Sequence, residues 1–405
     1  MTADVTVRAA RRTAAWGTTV FTELTELAQR TGAINLGQGF PDSDGPASVI
    51  SRARQALASG VNQYPPLAGA PVLRQAIARQ RVRRHDSSYD PVDEIVVTTG
   101  ATEAVTAAVL ALCDPGDEIV VFDPCYDSYQ AAAELAGAVC RRVPLRPSAG
   151  RFVFDPQDLH RALSSRTRVL LLNTPHNPTG KVFTRDESDI IAEVCRRHDL
   201  IAVVDEVYEY LTFDGALHVP LAGLPGMRER TISVSSAGKT FSLTGWKVGW
   251  ACGPAHLIRA LRSVKQYLTF AGAAPLQGAV AWALDHEEGW VAGLRERLQQ
   301  QRDVLAEGLR LAGLDVIRAE GGYFLQADVA TAGRGDGARF CRDLPARCGV
   351  VAIPTSAFAG DPEPYRELAR FAFCKDLDLL TRAARAIASP PETRSALPHP
   401  SQELT

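Results

Sequence analysis

Between residues 94 and 253, short apolar runs alternate with stretches in which apolar residues return every three or four positions. A continuous apolar run of that length suits a strand buried on both faces, and the 3.6-residue period suits a helix covering it. The alternation predicts a mainly parallel sheet covered by helices, an α/β fold. The predicted strands are Glu94–Thr99, Glu118–Phe122, Val139–Val143, Val169–Asn173, Ile201–Val204, Thr231–Ser235 and Val248–Cys252, with Ala101–Cys113 and Arg185–His198 among the helices. The pattern then changes. Glu287–Ala312 reads as one long amphipathic helix with Trp290, Leu294, Leu298, Val304, Leu305 and Leu309 on its buried side. Strands at Tyr323–Asp328, Val350–Ile353 and Arg370–Cys374, with a helix around Gly337–Ala346, describe a smaller α+β domain. A helix over Thr18–Thr31 has too few neighbours to stand alone and is expected on that smaller domain. The plan is an arm and helix at 1–45, a large domain at 46–286, a small domain at 287–388 and a disordered Pro- and Ser-rich tail at 389–405.

Composition narrows the function classes. With 46% hydrophobic residues in 405, the chain can bury a large core, and a net charge of -2 gives no electrostatic basis for nucleic acid or an anionic membrane as partner. The longest apolar stretches fall well short of the ~18 residues that span a bilayer. Arg8, Arg11 and Arg12 precede no apolar segment, so the N-terminus reads as a flexible arm of a soluble, cytoplasmic protein. Eight cysteines lack any C-x-x-C pair, and the histidines lack helical i, i+4 ligand spacing, so neither a disulfide framework nor metal catalysis is expected.

Candidate chemistry begins with lysine. Only five of the 44 basic residues are lysines, and Lys239 and Lys247 stand eight apart in Ser235-Ser-Ala-Gly-Lys-Thr-Phe-Ser-Leu-Thr-Gly-Trp-Lys247. An amine, unlike a guanidinium, can lose its proton near neutral pH and attack a carbonyl, which makes Lys239 a candidate Schiff-base lysine. Gly238-Lys239-Thr240 resembles the end of a nucleotide-binding loop, but position 233 is Ser where that loop needs Gly. A surface lysine is the remaining bland reading; against it, Lys239 follows the carboxyl end of a predicted buried strand, where ligands bind in open α/β sheets.

Four further motifs follow predicted strands. Val97-Thr-Thr-Gly-Ala-Thr-Glu-Ala104 turns at Gly100 into a helix whose free amides near Ala101 and Thr102 suit a phosphate, with Ser236 and Lys247 able to complete the cup. Ile201-Ala-Val-Val-Asp205-Glu-Val-Tyr208 ends a strand on a carboxylate that needs a partner, and a protonated ring nitrogen at ~4 Å would supply ~4 kcal/mol at an effective dielectric of ~20. A structural ion pair is the alternative for that carboxylate. Asn173-Thr-Pro-His-Asn177-Pro-Thr-Gly180 is a proline-restricted turn that aims Asn177 inward or is a plain Asn-Pro turn, and Phe122-Asp-Pro-Cys-Tyr126 offers a ring to a planar ligand or to the core.

In their order along the chain these motifs resemble the fold-type I pyridoxal-phosphate aminotransferases of class I/II, over nearly the whole chain from Asn35-Leu-Gly-Gln-Gly-Phe-Pro-Asp42 to Arg370-Phe-Ala-Phe-Cys-Lys375. The branch most similar holds kynurenine, glutamine and methionine aminotransferases, and Asn62-Gln-Tyr-Pro-Pro and Cys252-Gly-Pro are similar to actinobacterial N-succinyldiaminopimelate aminotransferases. The resemblance implies a three-layer α/β/α large domain with a smaller α+β domain, pyridoxal 5'-phosphate as cofactor and a homodimer. It implies that Lys239 carries the cofactor and moves the proton, Asp205 holds the ring nitrogen, Asn177 and Tyr208 bind the ring hydroxyl, and Tyr126 stacks on the ring. Gly100, Ala101, Thr102, Ser236 and Lys247 would hold the phosphate with Tyr64 of the other subunit; Arg370, Asn177 and the backbone at Gly39 would hold the substrate carboxylate. Many relatives in the family it resembles carry Arg in place of Lys247, where lysine is typical of this branch, and branch members often carry an aromatic residue in place of Thr102.

The expected reaction is ping-pong transamination between an L-amino acid and a 2-oxo acid. A cysteine-conjugate β-lyase or an amino-acid oxidase on the same fold is the alternative within the class; a non-catalytic cofactor-binding regulator and a nucleotide-binding protein are those outside it. Side-chain selectivity is expected near Phe21, Leu67, Tyr267 to Ala274 and Tyr323, a mostly neutral set that argues against an aspartate specialist.

Overall fold

A computed structural model of the chain describes residues 10–13 and 20–389, so the expected tail at 389–405, apart from Ser389, and much of the N-terminal arm lie outside the described residues. The strands are β1 (Ile34–Asn35), β2 (Ile95–Thr99), β3 (Glu118–Asp123), β4 (Val139–Pro144), β5 (Arg146–Ser148), β6 (Arg151–Val153), β7 (Thr167–Asn173), β8 (Ile201–Asp205), β9 (Thr231–Ser236), β10 (Val248–Cys252), β11 (Asp315–Ile317), β12 (Phe324–Asp328), β13 (Val350–Val351), β14 (Ile353–Pro354) and β15 (Leu368–Ala372). Seven form one sheet in the order β2-β10-β9-β8-β7-β3-β4. Its strands run parallel except β10, which is antiparallel to both neighbours.

The period-2 geometry of a strand explains why these runs are apolar throughout. Ile119 and Val121 of β3 enter one core with Val169, Leu171 and Val203, under the helices Gly100–Leu112 and Ala255–Leu268. Val120 and Phe122 enter another with Leu170, Leu172 and Val204, under the helix Arg185–Arg197. Both faces are covered, so neither tolerates a polar alternate position. Among the described residues no helix is long and apolar enough to cross a membrane.

A second, antiparallel sheet has the order β11-β12-β15-β14, packed by the helices Glu288–Leu311, Gly337–Cys348 and Leu377–Ala388. The helix Val20–Thr31 sets Leu24 and Ala28 on Val351, Ile353 and Phe358. Two details differ from the sequence expectation. The single strand expected at Val350–Ile353 is split: β13 pairs with β1, and β14 pairs with β15. On the long helix Trp290 and Val304 are only half-buried, while Arg302 is buried and bonds Asp214, Asp303 and the Ala319 carbonyl. Its guanidinium bonds make a charged residue compatible with that face, which hydrophobic periodicity cannot register.

The end of β8 is held from behind by charge. Asp205 and Tyr208 face one side, and Glu206 and Glu209 face the other, where both are fully buried. Arg81, from the helix Pro71–His85, reaches Glu206 at 2.9 Å and Glu209 at 3.2 Å, and the Ser235 hydroxyl donates to Glu209 at 2.6 Å. His85 bonds Glu209 and His218 lies 3.2 Å from Glu206. One atom each of His85, Glu209 and His218 fall within 4.8 Å of one another, a ligand-like cluster built by residues far apart in sequence. Arg81 already supplies a cation to both carboxylates, Glu206 and Glu209. Burial opposes ionisation of the two carboxylates, yet Arg81 and the histidines hold both below the usual carboxylate range.

Replacing Arg81 by Met should therefore destabilise the fold by about 3–5 kcal/mol in urea titrations at pH 7, because two carboxylates stay buried without their cation. Depressed folded-state pKa values mean that the wild-type contribution is complete above about pH 4.5 and is lost as pH falls below it. The deficit of the Met variant should shrink over that same fall; a deficit independent of pH would refute the assignment.

Candidate active site

A cavity of about 490 Å³ opens at the carboxyl ends of β2, β8 and β9. Gly39, Gly100, Ala101, Thr102, Tyr126, Asn177, Asp205, Tyr208, Ser236, Lys239, Lys247 and Arg370 all line it, so the structure brings together each sequence-predicted site residue except Tyr64. A larger groove of about 1080 Å³ beside Arg84, Asp214, Arg295 and Asp303 contains none of them.

Lys239 sits on the single turn Ala237–Thr240 that follows β9. Its ammonium donates to the Gly39 carbonyl at 3.4 Å and lies 5.6 and 5.2 Å from the ring centres of Tyr208 and Tyr323. Burial lowers its pKa, and Lys247 and Arg370 push the same way, against Cys374 and Asp205. The amine is thereby biased toward its neutral, nucleophilic form.

Asp205, the last residue of β8, accepts the Tyr129 hydroxyl at 2.8 Å and the Val207 amide at 3.2 Å. Burial raises its pKa while these two bonds and Lys239 oppose the rise. Tyr129 was not anticipated from the sequence; it lies one helical turn after Tyr126, the spacing that puts both rings on one face, and the two meet edge-on at 5.6 Å. The Asn173 amide donates to the Asp205 carbonyl at 2.9 Å and its oxygen accepts the Asn177 amide N–H at 2.7 Å. This chain of bonds aims the turn after β7 at the end of β8. Burial raises the pKa of Tyr208, leaving its phenol a hydrogen-bond donor.

The close approach of the helix Gly100–Leu112 to β10 depends on two glycines. Gly100 has φ +80°, and a Cβ there would lie 3.1 Å from the Lys247 ammonium. A Cβ on Gly249 would lie 2.5 Å from the Gly100 carbonyl carbon and 2.7 Å from the Ala101 nitrogen. The first turn of Gly100–Leu112 therefore rests directly on β10 and offers its free amides beside Lys247.

Arg370, on β15 and 2% exposed, lies between the rings of Phe324 at 3.9 Å and Phe358 at 4.2 Å. One Nη donates to Asn177 Oδ1 at 3.1 Å and the other to the Gly37 carbonyl at 2.7 Å. Neither phenyl ring nor Gly37 was anticipated: pairing with β15 brings β12 with Phe324, and the turn after β14 with Phe358, to the guanidinium, and the Ala372 amide on the Leu36 carbonyl brings Gly37 there. Tyr323 is fully buried below the site, where its hydroxyl donates to the Lys239 carbonyl at 3.2 Å, and Phe324 lines the cavity in its place. Tyr64 is 81% exposed and meets Phe270 edge-on at 5.7 Å, outside this cavity; Leu67 and Tyr267 to Ala274 also lie outside it. The side chain of Phe21 lies outside the described residues.

Residues 31–387 match the family model for aminotransferase class I and II. The chain is 50% identical to the probable N-succinyldiaminopimelate aminotransferase DapC of Mycobacterium tuberculosis, over 92% of this chain and 96% of that protein. It is 41% identical to the methionine aminotransferase of Escherichia coli strain K12, over 92% and 95% of the two chains. The solved structure of the Mycobacterium tuberculosis N-succinyldiaminopimelate aminotransferase aligns with a TM-score of 0.92 at 50% identity, covering 94% of this chain and 99% of that one.

Gly249→Ala should force the start of the helix Gly100–Leu112 off β10. Equilibrium titration of the variant with pyridoxal phosphate should show roughly tenfold weaker binding, about 1.4 kcal/mol, with the fold retained by circular dichroism. Wild-type affinity would show that the cradle does not bind the phosphate.

Proposed function

This chain belongs to the class I and II aminotransferases, a family of pyridoxal-phosphate enzymes, and from that premise we propose how its cavity holds the cofactor and substrate. The chain is an aminotransferase, and the similarity to named aminotransferases favours transamination over the lyase and oxidase alternatives. The donor set fits pyridoxal phosphate: a buried carboxylate for a ring nitrogen, a protonated phenol and an amide for a ring hydroxyl, an amine for an aldehyde, and a cradle with no room for a Cβ for a phosphate. When bound, pyridoxal phosphate supplies an aldehyde that takes up the amino group and a ring that withdraws electrons from the substrate Cα.

In our reading Asp205 keeps a proton on the ring nitrogen, and the Tyr129 hydrogen bond holds its carboxylate in place. Tyr208 and Asn177 bind the ring hydroxyl, and Tyr126 lies against the ring. The amides of Ala101 and Thr102 beside Gly100, with the Ser236 hydroxyl and the Lys247 ammonium, hold the phosphate. Arg370, steadied by Phe324, Phe358 and Asn177, grips the substrate α-carboxylate with help from the Gly39 backbone. Lys239, biased toward its neutral form, takes the proton from the substrate Cα and returns it. The observation that carries this reading is that Lys239 and Asp205 enter one cavity from adjacent strands, with Asn177, Tyr208 and Arg370 on its walls.

We also propose a homodimer in which the partner subunit's Tyr64 completes the phosphate site, supported by the exposure of Tyr64, Tyr267 and Phe270 on one chain. For the donor we propose amino acids with neutral side chains. The cations among the described lining residues are Lys239, Lys247 and Arg370, each already assigned, and Asp127 adds a carboxylate at the rim.

Lys239→Ala should lower kcat by at least ~10³-fold, measured as keto-acid-dependent amino transfer; near-normal rates would remove Lys239 from its role. Arg370→Lys should lower kcat/KM by about 10–100-fold, mostly through KM, since one arm of the fork is lost. In a donor panel with one fixed 2-oxo acid, methionine, glutamine and phenylalanine should each exceed aspartate by at least ~10-fold in kcat/KM. Aspartate leading that panel would overturn the donor assignment.

A further inference from the structure

Four of the chain's five lysines donate to carbonyl or carboxylate oxygens, and one of these four bears on the site without lining it. Lys181 and Lys265 are each 1% exposed, the first on Glu187 at 2.6 Å and the second on the Phe270 carbonyl at 2.7 Å. Lys239 and Lys247 line the cavity. Lys375, three residues past β15 and 4% exposed, donates to the Phe40 carbonyl at 2.9 Å and to Asp42 Oδ1 at 3.0 Å, with its ammonium 3.9 Å from the centre of the Phe40 ring.

The segment Gly37–Asp42 that Lys375 grips carries carbonyls that accept from two of the three site cations. Gly37 accepts from Arg370 at 2.7 Å, and Gly39 accepts from Lys239 at 3.4 Å. Gly39 also packs so closely on Phe324 that a Cβ there would lie 2.2 Å from the ring, and that ring stacks on Arg370. The segment is itself neither helix nor strand, so its path depends on these bonds together with the Gly37 amide on Asn35 at 2.9 Å, Gln38 on the Thr25 hydroxyl at 2.6 Å and the Asp376 amide on Asp42 at 3.3 Å. We propose that Lys375 is a positioning residue: with Asp42 it latches the segment Gly37–Asp42 over the cavity, and so sets the position of Arg370 and the affinity for the substrate carboxylate. Replacing Lys375 by Met keeps the length and loses the ammonium, so the segment's bonds to that ammonium go while its apolar contacts and the bonds at Gly37, Gln38 and Gly39 stay.

The assignment rests on the proposed role of Arg370, and the test separates the two. In the holoenzyme, Lys375→Met should raise KM for the amino donor at least ~5-fold while kcat falls less than ~2-fold, with cofactor absorbance and content unchanged. Asp42→Asn, which alters the more exposed partner and spares the buried lysine, should give a smaller rise of the same kind. Combining the two should add less than the product of their separate effects. Hydrogen–deuterium exchange of the peptide containing residues 37–42 should quicken at least ~5-fold in Lys375→Met, a readout that needs no turnover. Unchanged exchange, an unchanged KM in both variants, or a loss confined to kcat would each overturn the latch. If the wild type failed to transfer amino groups while exchange still quickened, the latch would stand and the role of Arg370 would fall.

Discussion

Asp205 is a carboxylate buried at the end of a central strand, and most of the site is arranged around the cost of keeping it there. Burial raises its pKa, and its hydrogen bonds come from Tyr129 and the Val207 amide, both neutral donors. A cationic ring nitrogen would meet a carboxylate already desolvated and oriented, where its attraction counts for more than in water. The same strand end is braced from behind by Arg81 against Glu206 and Glu209. The turn that follows the strand thus sets Asp205 and Tyr208 at the cavity and Glu206 and Glu209 in a buried ion network.

Cations set the second constraint. Lys239, Lys247 and Arg370 share one cavity, and burial, with a smaller push from Lys247 and Arg370, favours the neutral amine at Lys239. A phosphate near Lys247 and a carboxylate near Arg370 would relieve that repulsion at opposite ends. The charge pattern therefore favours a ligand and a substrate that are both anionic. Arg370 has no freedom to wander in the meantime, held between two phenyl rings, the Asn177 amide oxygen and the Gly37 carbonyl.

Much of this was legible in the chain. Lys239, Asp205, Asn177 and Gly100 each follow a strand that its apolar run announces, and ligand sites in such sheets lie beyond the carboxyl ends of the strands. Tyr129, Phe324, Phe358 and Lys375 were not legible from local pattern. Tyr129 reads as an ordinary helical core residue, and the two phenylalanines read as strand and loop apolar positions. His85, Glu209 and His218 show the same limit, since their proximity arises from packing a helix behind a strand they do not share.

By itself the sequence determined the local elements and the order in which reactive side chains leave them, because apolar periodicity and glycine turns act over a few residues. It also narrowed which amine was unusual, since lysine holds only five of the 44 basic positions. Only the tertiary structure decided which partners those side chains meet. The split of Val350–Ile353 between two sheets, the stacking of Arg370 and the grip of Lys375 on Gly37–Asp42 join residues up to about 335 positions apart. Such contacts follow from how sheets and helices pack as bodies, and no local signal in the chain records that packing.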